Sequence, residues 1–238
     1  MPTGLVISAH AADFVWRAGG AIALHAHKGY RMVVVCLSYG ERGESGPLWR
    51  DAPDMTEAKA KAQRHAEAEQ AAALLGAEIR FLDMGDYPLQ PTRDALLTLA
   101  DIMRELRPEF ILTHSMEDPY NYDHPRARDI AQEARIIAWQ GNGHSPQTAI
   151  TGPIPLFLFE PHQPEMCNWK PQVYLGIDAV WDVKRAAFEC MGAQQFLWDY
   201  YDRVSLQRGQ QAMMNSGRPI TRAEAYQRVF PSVQEILG

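Results

Sequence analysis

Apolar and polar positions along this chain switch between two rhythms. Residues 5–8 form a short apolar run, and Asp13–His27 then places Phe14, Ala18, Ala21 and Leu24 at helical spacing. This predicts a buried strand leading through a tight turn into a helix. Residues 31–38 (RMVVVCLS) are a second β-rich run, closed by the charged, turn-forming segment 39–47 (YGERGESGP). Residues 55–75 are rich in Ala, Glu and Lys and stop at Gly76, so a long helix is expected there. A strand over 78–82, an amphipathic helix over 92–106 and a strand over Phe110–Thr113 follow. The polar stretch 114–124 then leads into a helix over 126–137. Beyond a loop at 141–153, the pattern predicts strands at Leu156–Phe159 and 173–177, a helix over 180–201 and a short helical tail.

Strands alternating with helices of this length imply an α/β fold. A mostly parallel, Rossmann-like sheet with helices on both faces is expected, with ligands at the carboxyl ends of its strands. The glycine-rich dinucleotide fingerprint is missing after the first strand, where the chain reads AHAADF, which disfavours a nicotinamide cofactor. No linker interrupts the pattern, so residues 1–238 are expected to form one domain.

Composition narrows the function more than the fold. Hydrophobic residues make up 46% and charged residues 22%, the profile of a soluble globular protein, expected in the cytoplasm. The net charge of −6, with Lys and Arg scattered, leaves no basic stripe for a phosphate backbone, so nucleic acid is not an expected partner. An anionic substrate would then depend on a few well-placed arginines. Cys36, Cys167 and Cys190 lie far apart, which predicts free buried thiols rather than a disulfide framework or a thiolate zinc site. No apolar run approaches the ~18 residues of a membrane span, and the first residues lack a signal-peptide pattern, so no membrane partner is expected.

His10 and Asp13 lie three residues apart at the first strand-to-helix turn and can face one point. Asp13 by itself would also serve as a helix N-cap. His124 follows the fourth strand after a loop of Asp, Asn and Tyr residues, at the same edge of a parallel sheet. Two imidazoles and one carboxylate with open positions form the donor set of a catalytic zinc site, and the same donors suit iron or manganese. His114, at a strand end, can support them. His25, His27 and His65 fall on helices as surface residues, and His144 falls in the 141–153 loop.

On these residues the sequence resembles the LmbE/PIG-L superfamily of zinc-dependent de-N-acetylases, whose pattern is an A-H-P-D-D turn after the first strand and a later H-P-D-H turn. Ser38-Tyr39-Gly40-Glu41 matches its T-x-G-E segment, and Arg64, Glu67, Leu75 and Gly76 match its long helix. The resemblance covers most of the first 140 residues and implies Zn2+ held by His10, Asp13 and His124. Two positions depart from it. Ala12 stands where the superfamily has its catalytic aspartate, and Asn121 where a histidine assists deacetylation. A methyl group cannot take a proton from metal-bound water.

Residues 8–17, 40–45, 118–125 and 159–164 resemble instead a hydratase branch of that superfamily. This implies addition of water across a carbon–carbon double bond of a tricarboxylate in gallate and protocatechuate 4,5-cleavage. The substrate would be 4-oxalomesaconate (4-carboxy-2-hydroxymuconate) and the product 4-carboxy-4-hydroxy-2-oxoadipate. Such chemistry needs a base, an acid and a holder for enolate charge. Glu44, Glu41 and the proline-flanked His162 are the candidates for base and acid, with Glu44 preferred because Glu41 fills the superfamily's structural position. Arg42, Arg17 and Arg126, with Asn121, are the candidates for binding the carboxylates, and Arg203 and Arg208 could reach a site from the tail. Trp198, Tyr200 and Tyr201 would suit the interface of a homo-oligomer. The alternatives are a de-N-acetylase or amide hydrolase that recruits Glu41 or His162 as its base, and a noncatalytic metal-dependent binding protein.

Overall fold

The first strand is buried at every position, and the sheet is built outward from it. The computed structural model describes residues 1–141 and 148–233. Its elements are, in chain order, β1 (Thr3–Ser8), α1 (Asp13–His27), β2 (Arg31–Cys36), α2 (Gly46–Asp51), α3 (Glu57–Leu75), β3 (Ala77–Phe81), α4 (Arg93–Leu106) and β4 (Phe110–Thr113). Then come α5 (Asp123–Gln140), β5 (Leu156–Phe159), β6 (Val173–Gly176), α6 (Trp181–Glu189), α7 (Trp198–Ser216) and β7 (Ala223–Arg228). The strands form one sheet in the order β3-β2-β1-β4-β5-β7-β6. β3, β2, β1, β4 and β5 pair in parallel, and β7 runs antiparallel to both its neighbours. This is the mostly parallel Rossmann-like sheet that the pattern predicts.

Alternate residues of a strand face opposite sides of a sheet, and β1 shows the consequence. Val6 joins the core under α1, α3, α6 and α7, with Phe14, Ile22, Leu75 and Phe188. Leu5 and Ile7 join the core under α4 and α5, with Leu99, Met103 and Ile130. Helix ends are set locally. The Thr56 and Thr92 hydroxyls accept the backbone N–H groups of Lys59 and Ala95, and Gly76 closes α3 at φ +76°.

Four expectations change. The helix expected over 180–201 is broken: α6 ends at Glu189, and a 3-10 segment at Gly192–Leu197 carries Gln194 out of helical geometry. Tertiary bonds override the helical pattern there, since Gln194 accepts from Arg64 (3.0 Å) and Glu67 accepts the Ala193 N–H (3.3 Å). The expected helical tail is in fact the second half of α7 followed by strand β7. The polar sequence of β7 hid it. Glu224 is buried because Lys184, Tyr226 and the N–H groups of Gly20 and Ala21 all donate to its carboxylate. The segment 39–47 runs into the short helix α2, and α5 starts at Asp123, so His124 rides on its first turn. The 141–153 loop, including His144, lies partly outside the described residues. Among the described residues, no helix is long and apolar enough to cross a membrane.

Candidate active site

The strand order reverses direction between β1 and β4, and the carboxyl ends of those two strands open a crevice. The β1–α1 turn delivers His10 and Asp13 into it. Ser8 Oγ donates to the His10 carbonyl (2.7 Å) and accepts the Phe14 N–H (3.2 Å), while Asp13 Oδ2 accepts the His10 N–H (3.0 Å). The turn therefore has one conformation. Asp13 Oδ2 stands 3.1 Å from His10 Nδ1, and Asp13 Oδ1 stands 3.2 Å from His124 Nε2. Glu44 Oε1 completes the cluster, 3.2 Å from His10 Nδ1 and 3.8 Å from His124 Nε2.

A further ring of carboxylates aims the imidazoles. His124 Nδ1 meets Asp118 Oδ2 at 2.8 Å, and His10 Nε2 meets Asp86 Oδ1 at 3.2 Å and Asp123 Oδ2 at 3.4 Å. Bonds on these far nitrogens leave His10 Nδ1 and His124 Nε2 turned to the centre. Asp86 Oδ2 also accepts the N–H groups of Arg42 (2.6 Å) and Gly43 (3.0 Å), which ties down the loop that carries Glu44. That loop needs its glycines. A Cβ on Gly43 would fall 2.1 Å from the Tyr87 ring, and one on Gly40, at φ +67°, would fall 3.1 Å from His10 Cβ. His114 lies flat on His124, with ring centroids 4.3 Å apart, and its Nε2 accepts the Ala9 N–H, so it braces the cluster from behind.

The charges explain what the cluster is for. Burial opposes charging His10, yet the Glu44 carboxylate and bonds to Asp123, Asp13 and Asp86 hold its pKa well above the ordinary value. Burial likewise opposes charge on His124, and Asp13, helped by Asp118, raises it to about 9. Burial and Asp13 push Glu44 up, but His10 and His124 outweigh them and bring it down to about 2. Crowded carboxylates thus demand positive charge between two imidazoles, and a divalent cation satisfies that demand with one ion. Among the described residues, buried His124 Nε2, which faces this centre, has no hydrogen-bond partner, as expected of an atom aimed at a metal position. His10, Asp13 and His124, with Glu44, fit such an ion.

Beside the cluster opens a cavity of about 350 Å³, lined also by Arg17, Asn121, His162, Gln194, Phe196 and Tyr201; Arg17 borders the cluster itself, its Nε 3.5 Å from Asp13 Oδ1. Arg17 is buried, and its Nη1 donates to the Glu160 carbonyl (2.7 Å). Burial and then the Arg17 charge lower the His162 pKa to about 4. Asn121 Oδ1 accepts the Asp123 N–H (3.0 Å) and shapes the turn before His124.

Of the residues singled out from sequence, the structure gathers His10, Asp13, His124, Glu44, His162, Arg17 and Asn121 around this space. It does not bring in Glu41, Arg42 or Arg126. Buried Glu41 turns its carboxylate to Lys61 (3.5 Å), and Arg42 points outward to Glu57; both line a separate surface groove. Arg126 is exposed on α5, because its position falls on the solvent side of that helix. Arg203 is exposed, and Arg208 is occupied by Glu160. Tyr201 is buried within the chain, stacked on Trp16, and the Tyr200 hydroxyl donates to the His162 carbonyl, so these two rings are not a free interface. Sequence reasoning missed the roles of Asp86, Asp118 and Gln194. Asp86 carried a signal, since it sits in a Gly/Pro turn just after the third strand.

A model of the family described as GlcNAc-PI de-N-acetylase (PIG-L) matches residues 5–135. A Pseudomonas putida KT2440 protein named 4-oxalmesaconate hydratase is 58% identical over 240 residues, covering 99% of this chain and 92% of that one. The crystal structure of GalB, the 4-carboxy-2-hydroxymuconate hydratase of P. putida KT2440, matches with a TM-score of 0.95 at 56% identity over all of both chains. The N,N'-diacetylchitobiose deacetylase of Pyrococcus horikoshii shares the fold at 20% identity, with a TM-score of 0.79 over 95% of this chain and 83% of that one.

Proposed function

Because the chain belongs to the PIG-L family yet lacks a second carboxylate in its first turn, we propose that it is a metal-dependent hydratase. It adds water to 4-oxalomesaconate (4-carboxy-2-hydroxymuconate) to give 4-carboxy-4-hydroxy-2-oxoadipate, and the names of the two P. putida relatives support that substrate. The observation that carries the reading is the carboxylate position. Ala12 is fully buried and apolar, while Glu44 enters from a different loop and stands 3.2 Å from His10 Nδ1.

His10, Asp13 and His124 would hold the metal, proposed to be zinc. Once bound, it supplies Lewis-acid polarisation of the oxo-acid end of the substrate and offsets enolate charge. Glu44, ionised in its surroundings, takes a proton from the attacking water as the new carbon–oxygen bond forms, and returns that proton to the neighbouring carbon. Arg17, which borders the cluster, provides fixed positive charge for a substrate carboxylate. His162 meets the substrate beside it. The enzyme works in the cytoplasm, and exposed Ile136, Trp139 and Phe230, which line one surface groove, support a homo-oligomer.

Metal-loaded protein mixed with 4-carboxy-2-hydroxymuconate should bleach its conjugated absorbance catalytically. A folded, metal-loaded protein that leaves the absorbance unchanged while releasing acetate from N-acetyl sugars would replace this reading with the de-N-acetylase.

A further inference from the structure

His162 Nδ1 lies 3.4 Å from Arg17 Nη2 and 3.3 Å from the Tyr201 hydroxyl. A guanidinium only donates, so Nδ1 must present its lone pair to it. Among the described residues, the competing acceptors of Arg17 Nη2 are His124 Nδ1 at 3.5 Å and Asp118 Oδ2 at 3.8 Å; these are committed to each other at 2.8 Å, and the carboxylate lies farther off than His162. The Arg17 proton therefore goes to His162. The two are also fastened mechanically, because Arg17 Nη1 donates to the carbonyl of Glu160, two residues before His162. Tyr200 stacks on the His162 ring (4.8 Å, 9°), and Tyr201 abuts it edge-on (5.7 Å, 81°). The rings hold the plane of the imidazole, and turning it over would put a carbon in place of Nδ1 and lose the bonds to Arg17 and Tyr201. Nε2 has no protein partner among the described residues, and His162 lines the cavity.

We propose that Arg17 is a positioning residue that locks His162 as a neutral, Nε2-protonated imidazole. His162 then meets an anionic oxygen of the substrate as a hydrogen-bond donor and does not act as the proton acceptor. A second ring proton is opposed by burial and by the adjacent guanidinium charge. During hydration, negative charge grows on the oxo-acid oxygen, and a preset neutral donor stabilises it without moving a proton. Proton transfer is left to Glu44. The identity of that oxygen rests on the hydratase reading; the tautomer does not.

The test uses metal-loaded protein with 15N-labelled histidine at pH 7.5, read by two-bond 15N–1H correlation, with the His162 signals identified by their loss in His162→Gln. The wild type should show a protonated Nε2 and an unprotonated Nδ1, and Arg17→Met should mix the two tautomers. His162→Gln, whose amide N–H can stand near Nε2, should keep at least about tenfold more kcat than His162→Ala, in which loss of one donor costs about 10²–10³-fold. A protonated Nδ1 or a doubly protonated ring in the wild type overturns the proposal, as does a Gln variant no better than Ala. If the hydratase reading alone fails, the wild type does not hydrate the substrate while the tautomer pattern stays as described.

Discussion

On one wall of the cavity, Asp13, Glu44, Asp86, Asp118 and Asp123 crowd around two imidazoles, and the cluster draws in positive charge. On the His162 side, Arg17, which reaches across from Asp13, and the Tyr201 hydroxyl converge on Nδ1 of the imidazole, and the same type of side chain is driven the opposite way. His124 rises to about 9 while His162 falls to about 4. Burial and the Arg17 charge disfavour a proton on both histidines, so the difference comes from the carboxylates: Asp13 and Asp118 touch His124 directly, at 3.2 and 2.8 Å, and act on His162 only from a distance. The difference teaches that the site is built for two charges at once. One side is rich in carboxylates and suits a cation, and the other presents donors that suit the oxygens of an anion.

The largest effect should come from the residue that joins the walls. Glu44→Gln should lower kcat by about 10²–10⁴-fold while metal content, read by elemental analysis, stays at the wild-type level. Loss of the metal as well would move Glu44 into the ligand set. Asp118→Ala should weaken metal binding about 10–100-fold in a chelator competition, because His124 loses the bond that aims its Nε2. If instead affinity holds and only turnover falls, Asp118 belongs functionally to the His162 side.

The walls should also separate by pH. Metal binding must displace protons from His10 and His124, whose pKa values are raised, so metal affinity should fall as pH drops from 8 to 6. The His162 pKa is shifted the other way. Between about pH 4 and 6.5 the unfolded chain binds a proton there that the folded chain does not, so its contribution makes stability rise with pH across that lower window. His162→Gln should flatten that part of the stability profile in urea melts. At the bottom of the scale, Arg42→Ala and Arg126→Ala should leave kcat/KM unchanged and stability within about 0.5 kcal/mol, since neither side chain reaches the cavity.

The carboxylate–imidazole cluster was largely legible in the sequence because it is local. His10 and Asp13 share one turn, and the strand–helix alternation places His124 at the same sheet edge. Glu44 and Glu41 could not be ranked from spacing alone, and what separates them is the turn at Gly43 under Tyr87, a contact made by a distant segment. The His162 side was legible only in part. His162 stood out on its proline-flanked loop, but Gln194 and Tyr201 come from a region whose helical pattern is interrupted by bonds to Arg64 and Glu67, 126 or more residues away. Strand β7 was unreadable for a related reason, because all the buried partners of Glu224 but Tyr226 lie on α1 and α6 and leave no trace in the strand's own pattern.

The central claim is that these two walls hydrate a carbon–carbon double bond, and mass spectrometry of the product formed in 18O-water tests it most directly. Metal-loaded protein incubated with 4-carboxy-2-hydroxymuconate should yield 4-carboxy-4-hydroxy-2-oxoadipate with labelled oxygen at the new hydroxyl, and Glu44→Gln should slow its appearance in step with kcat. Recovery of the substrate without any hydrated product, from protein shown to be folded and metal-loaded, would contradict the account.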